Sequence, residues 1–207
     1  MSDFELNIQF RSEDVRLIQQ ADQKVTLLKE VAGSSGQPVT WVTFNPFEGN
    51  TVNWTLDFGL YASNTLIQNG ATIDKRSTVD PASSGVLYPF ADGTFDNPTG
   101  DAGVNNYGIQ NHYDTAQQLT FGVAQSVTAN GTAFEANPLN AVPVLFNQEA
   151  IFTPIEKVTI FLQGKFDNGV ILTEVQGGAL TVDLTNNPSQ AVHYDAAKGK
   201  FLAGPLP

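Results

Sequence analysis

The sequence predicts an all-β fold: an antiparallel two-sheet sandwich or jelly roll, with residues 1–207 as one domain and at most one short helix near the N-terminus. Three observations predict it. From Thr51 to Leu60, Val52, Trp54, Leu56, Phe58 and Leu60 alternate with Thr51, Asn53, Thr55, Asp57 and Gly59, the period of a strand with one buried face. Turn-forming clusters then punctuate the chain, at Gly33-Ser34-Ser35-Gly36, Asn69-Gly70, Asn130-Gly131, Asp167-Asn168-Gly169 and Gly177-Gly178. Finally, charged residues make up only 15% of the chain while hydrophobic residues reach 41%, a globular composition in which Asn, Thr, Gln, Ser and Gly replace charge.

Taken in order, Phe4 to Phe10 reads as a strand with apolar residues at every second position. Ser12 to Ala21 is the one helical pattern, with Ser12 as its candidate N-cap, Glu13 and Asp14 in the first turn, and Val15, Ile18 and Ala21 on one face. Strands are expected over Lys24 to Val31, Val39 to Phe44 and Thr51 to Leu60. Further on they are expected over Leu119 to Val127, Lys157 to Leu162, Val170 to Val175 and Ala179 to Leu184. No Pro- or Ser-rich linker divides the chain.

Composition removes several function classes. With no Cys among 207 residues, thiolate chemistry, disulfide scaffolds and cysteine-ligated zinc are excluded. Ten basic residues against 21 acidic ones give a formal charge of -11, which repels a phosphate backbone and makes nucleic acid a poor partner. Met1 to Glu5 shows neither a basic nor an apolar leader region, and no apolar run reaches a membrane-helix length. The expectation is a soluble protein, cytoplasmic or released without a signal peptide, with no stable membrane insertion and an oligomeric state left open.

The charge is unevenly placed. Between Arg76 and Lys157 there is no Lys or Arg, while Asp80, Asp92, Asp96, Asp101, Asp114, Glu135, Glu149 and Glu156 all fall there. That pattern suits a set of long solvated loops, or a cation site. Within it, Asp92 to Asn106 combines Asp92, Asp96 and Asp101 with glycines and amides, and calcium is the hard cation such oxygen donors would take. The spacing is not that of an EF-hand.

Both histidines open the same tripeptide, His112-Tyr113-Asp114 and His193-Tyr194-Asp195. Asn105-Asn106 and Asn186-Asn187 precede them at equal distance, and Ala116 and Ala197 follow. On a strand each His and Asp share a side, so two facing copies would offer His112, Asp114, His193 and Asp195 to a transition metal and support a metal-dependent enzyme. The simpler expectation turns each Tyr inward and leaves the polar pair to solvent. No Gly-x-Ser-x-Gly elbow, dinucleotide fingerprint or phosphate loop is present.

Aromatic residues beside amides suggest a different role. Trp41, Tyr107, Tyr113 and Tyr194, with Asn105 and Asn106, are candidates for stacking on and hydrogen bonding to a sugar, whereas Trp54 sits on the apolar face of its strand and belongs to the core. The run from Gln117 to Phe134, around Phe121 to Ala129, also has the alternation of a membrane-inserting hairpin, as a pore-forming toxin would use. The leading expectation is a non-enzymatic, lectin-like binding protein for carbohydrate or a similar polar small molecule, with the metal enzyme and the membrane-active toxin as alternatives.

Overall fold

The computed structural model describes residues 3–34, 36–114, 118–175 and 177–207. In chain order the elements are β1 (Phe4–Gln9), α1 (Ser12–Gln20), β2 (Lys24–Gly33), β3 (Gln37–Pro38), β4 (Val42–Phe44), β5 (Gly49–Trp54) and β6 (Phe58–Ser63). There follow β7 (Lys75–Val79), β8 (Gly85–Ala91), β9 (Thr94–Phe95), β10 (Thr99–Gly103), β11 (Tyr107–Asn111), β12 (Thr120–Ala129) and β13 (Thr132–Pro138). The last five are β14 (Asn140–Pro143), β15 (Glu149–Gln163), β16 (Leu180–Asp183), β17 (Ser189–Asp195) and β18 (Lys200–Ala203).

Two sheets pack face to face as a sandwich. One runs β18-β17-β1-β5-β12-β14-β3, with β6 and β13 also paired to β12 and β7 to β6; the other runs β10-β8-β11-β15-β2-β4, with β16 on β15 and β9 on β8. Pairing is antiparallel except for β1 with β17 and β8 with β11, which are parallel. The apolar faces of both sheets meet in one core that runs from Phe4 and Leu6 through Leu27, Trp41, Phe121 and Phe152 to Phe201. In β1 the alternation survives in full: Phe4, Leu6 and Ile8 point inward and the residues between them are half-buried.

Elsewhere the structure corrects the reading. The strand expected over Thr51 to Leu60 is two, because β12 pairs first with Val52 and Asn53 and then with Phe58 to Ser63. Between those ladders the four residues from Trp54 to Asp57 face only Ser126 and Val127, a bulge that turns Leu56 out to solvent. Val170 to Val175 is not a strand. Val170 and Ile171 make isolated bridges to Thr72 and Val39, so their backbone groups are satisfied from two sides without a ladder. The helix is capped by the extended residue Arg11; Ser12 is its first helical residue and its hydroxyl binds Glu48 Oε1 at 2.8 Å.

The acidic middle is not a set of loops either, since β7 to β14 and the first part of β15 occupy it. Its acids fall at turns and on outer faces: seven of the eight are exposed, and only Glu156 is partly enclosed. Phe121 to Ala129 lies within β12, flanked by β13 and β14 on one side and by β5 and β6 on the other, with most of its side chains buried. No helix among the described residues is long and apolar enough to cross a membrane.

Candidate functional site

A parallel pairing builds the principal cleft. Because Gln9 at the end of β1 stands opposite His193 on β17, the chain leaving β1 through Phe10 starts α1 directly beside the end of β17. The cleft between them, about 310 Å³, is lined by Arg11, Glu13 and Asp14 on the helix side and by His193, Tyr194 and Asp195 on the strand side, with Leu206 and Pro207 at its rim. The last residues are held there by hydrogen bonds. Leu206 N–H donates to Gln9 Oε1 at 2.6 Å, and Gly204 N–H donates to the Ala191 carbonyl at 2.8 Å.

Each side chain has a distinct chemical state. His193 Nδ1 lies 2.9 Å from the Gly204 carbonyl; a carbonyl only accepts, so Nδ1 carries a proton, and the tautomer this bond selects has its lone pair on Nε2. Tyr194 packs its ring against Phe10 and Phe201 at 5.8 and 5.3 Å between centroids, and burial, then the charges of Asp14 and Asp195, push its phenol above the ordinary tyrosine value. Asp195 is held below the usual carboxylate range chiefly by the hydrogen bond from Lys198, whose ammonium is 2.9 Å away. Asp14 is 6% exposed and makes no side-chain hydrogen bond or ion pair to another described residue. No fully enclosed side-chain polar atom among the described residues lacks a partner, so the Asp14 oxygens keep some exposure, and the residue lines the cleft.

The second His-Tyr-Asp copy is elsewhere. His112 follows β11, in the other sheet, and gives its backbone N–H to the Phe90 carbonyl at 2.8 Å, while Tyr113 packs on Phe90 at 6.0 Å and Asp114 is exposed. Both tyrosines turn toward phenylalanine clusters, as in the simpler expectation. The two copies belong to different sheets, and among the described residues no three His, Asp or Glu side chains gather as a metal-holding group. Ala116, the residue that completes the first copy, and Gln117 lie outside the described residues.

The Asp92 to Asn106 segment folds as turns. Asp92 and Gly93, both at positive φ, form the two-residue connection between β8 and β9, where Ala91 faces Thr94. Asp96 follows β9 and is exposed, and its N–H donates to the Pro89 carbonyl. Asp101 Oδ1 accepts from Gly103 N–H at 2.8 Å. Asn105 sits exposed at φ 61°, and Asn106 bonds the Ala102 carbonyl and the Thr153 hydroxyl. Asp101 Oδ1 is thus engaged within β10 itself, and the Asn106 side chain links Ala102 of β10 to Thr153 of β15.

Of the proposed sugar-stacking rings, Trp41 is a correction. It is fully buried, its Nε1–H donates to the Gln125 carbonyl at 3.0 Å, and its ring meets Trp54 edge-on at 5.3 Å, so no face is open to a ligand. Tyr107 is likewise packed on Phe58 and 8% exposed. Tyr194 alone of the four rings lines the cleft described above.

One polar cluster had no motif to announce it. Lys29 on β2 is enclosed between the sheets, its Nζ 2.8 Å from Gln125 Oε1 on β12 and 2.8 Å from Glu156 Oε2 on β15. The rings of Trp54, Phe58, Trp41 and Phe4 surround that nitrogen at 5.1 to 6.0 Å. Trp54 Nε1–H also donates to Glu156 Oε2 at 2.9 Å. Burial outweighs the pull of Glu156 and brings the Lys29 ammonium down to about 8. Only an apolar strand interrupted by a single lysine marks it in the sequence.

Comparison with known protein families, with characterised proteins and with solved structures returns no match for this chain.

Proposed function

We propose that this chain is a non-enzymatic binding protein that receives a small hydroxyl-rich ligand of the carbohydrate class in the cleft between the start of α1 and the end of β17. The observation that carries the reading is Asp14, a 6% exposed residue that lines the cleft and whose carboxylate makes no hydrogen bond or ion pair to another described residue. Around it stand acceptors in Glu13, Asp195 and His193 Nε2, and donors in Arg11 and the Tyr194 hydroxyl. A sugar hydroxyl both donates and accepts, so a polyol can satisfy such a mixed wall where a simple ion would meet groups of its own sign.

A glycan array probed with the full chain and with Asp14→Asn tests this. Binding of a defined glycan class that falls at least tenfold in the variant, with an unchanged melting temperature, is the expected outcome. Silence of the folded wild-type chain across the array, or binding indifferent to Asp14, would overturn it.

A further inference from the structure

We propose that Lys29 and Gln125 join into an intramolecular isopeptide bond, with Glu156 as the proton-transferring residue, so that the two sheets of the sandwich are covalently tied. This inference stands apart from the cleft and its ligand. It rests on a constellation of three side chains inside a closed aromatic box. Lys29 is 2% exposed and Gln125 1%, and the two side chains touch: the amine nitrogen is 2.8 Å from the carboxamide oxygen, one C=O bond away from the carbon that would be attacked.

The carboxamide is held in one orientation. Gln125 Nε2–H donates to the Thr55 carbonyl at 2.5 Å, and because that partner can only accept, the amide nitrogen must face Thr55 and the carbonyl must face Lys29. The bulge from Trp54 to Asp57 is what brings the Thr55 carbonyl to this place. Glu156, whose side chain is 12% exposed, contacts the same lysine nitrogen and is steadied by Trp54 Nε1–H. The four rings keep bulk water from the amine and from any acyl intermediate. Their desolvating effect, which lowers the lysine to about 8, also raises the share of free amine able to act as a nucleophile.

The reaction balances without a further reagent. The Lys29 ammonium passes a proton to Glu156, and the freed lone pair attacks Gln125 Cδ. The Cδ–Nε2 bond then breaks with its electron pair on nitrogen. Of the three ammonium protons one remains on the new amide nitrogen, while two travel by way of Glu156 to Nε2, which departs as ammonium. Glu156 ends as the carboxylate it began as, and nothing is oxidised or reduced.

Intact-protein mass spectrometry of the purified full chain tests the inference, together with its tryptic map. The expected wild-type mass is about 17 Da below that of the sequence, one ammonia, whereas Lys29→Arg, Gln125→Glu and Glu156→Gln each show the full mass expected of their own sequence. A tryptic species joining the peptide that contains Lys29 to residues 77–157, the peptide without internal Lys or Arg that contains Gln125, is expected with it. A wild-type mass equal to that of its sequence overturns the bond, and it needs no variant to fold. So does the same loss found on a linear peptide at Asn69-Gly70 or Asn130-Gly131, where backbone cyclisation of asparagine releases ammonia too.

Discussion

Replacing Gly122 by alanine probes the packing of the first sheet, because ordinary strand chemistry and this structure predict opposite signs. Alanine in a strand interior is normally better than glycine by about 0.5–1 kcal/mol. Here an added Cβ would stand 2.1 Å from the Asn140 carbonyl oxygen and 2.8 and 2.9 Å from Cε1 and Oη of Tyr61. The carbonyl cannot swing aside. Asn140 sits on β14, whose ladder to β12 pairs Phe121 with Val142, and its own side-chain Oδ1 accepts from Val123 N–H at 2.9 Å.

Relief therefore requires a backbone shift of β14 of about 1 Å, an overpacking cost of about 1–3 kcal/mol. That shift also parts the Tyr61 hydroxyl from the Asn140 carbonyl, a 2.6 Å bond between fully buried groups whose loss costs about 1–3 kcal/mol. Less the glycine gain of about 0.5–1 kcal/mol, Gly122→Ala is expected to destabilise by about 1–5 kcal/mol. Tyr61→Phe alone should cost about 1–3 kcal/mol, and the double variant little more than Gly122→Ala, because the shared bond is lost once. Urea unfolding followed by the fluorescence of Trp41 and Trp54 measures all four proteins, with equal m-values as the condition for comparison. A Gly122→Ala protein as stable as the wild type, or strict additivity in the cycle, would refute the reasoning.

Three further outcomes follow from the structure. Tyr194 keeps its proton above the ordinary tyrosine value because of burial and the charges of Asp14 and Asp195; Asp14→Asn should lower its titration midpoint, read by ultraviolet difference spectroscopy at alkaline pH. Tyr61 and Tyr107 are raised as well, so the folded state binds more protons than the unfolded one above pH of about 10, and stability should fall through that window and be constant below it as far as these groups contribute. Phe152→Ala, at a fully buried site in the middle of the second sheet, should cost about 3–5 kcal/mol in urea unfolding.

The legible parts of this fold are those where burial is one-sided. β1, flanked by two strands, keeps a clean alternation because one of its faces meets the core, and α1 stands out as the only segment with Val15 and Ile18 at helical spacing. The bulge after Trp54 was invisible because Leu56 continues the alternation while facing solvent. β8 contains the β formers Val86, Tyr88 and Phe90 but is interrupted by Pro89, and β10, of Thr, Gly, Asp and Ala, carries little β propensity of its own. β8 is held by its pairing with β11, and β10 by its pairing with β8. At the cleft, the repeated tripeptide His193-Tyr194-Asp195 marks the strand-side wall in the sequence. Its helix-side wall did not show, since the parallel pairing of β1 with β17 joins residues nearly the whole chain apart. Trp41 is closed to a ligand although polar residues neighbour it in the chain, because Thr40 and Thr43 are themselves buried and hydrogen-bonded.

The claim that a hydroxyl-rich ligand enters the cleft at α1 and β17 is tested most directly by backbone amide NMR of the full chain titrated with a panel of mono- and disaccharides. The predicted result is saturable shifts confined to Arg11 to Val15, His193 to Ala197 and Gly204 to Leu206. Saturable shifts centred instead on the second cleft, about 300 Å³ between Gln163, Phe166 and Leu172, or no saturable shift with any member of the panel, would contradict it.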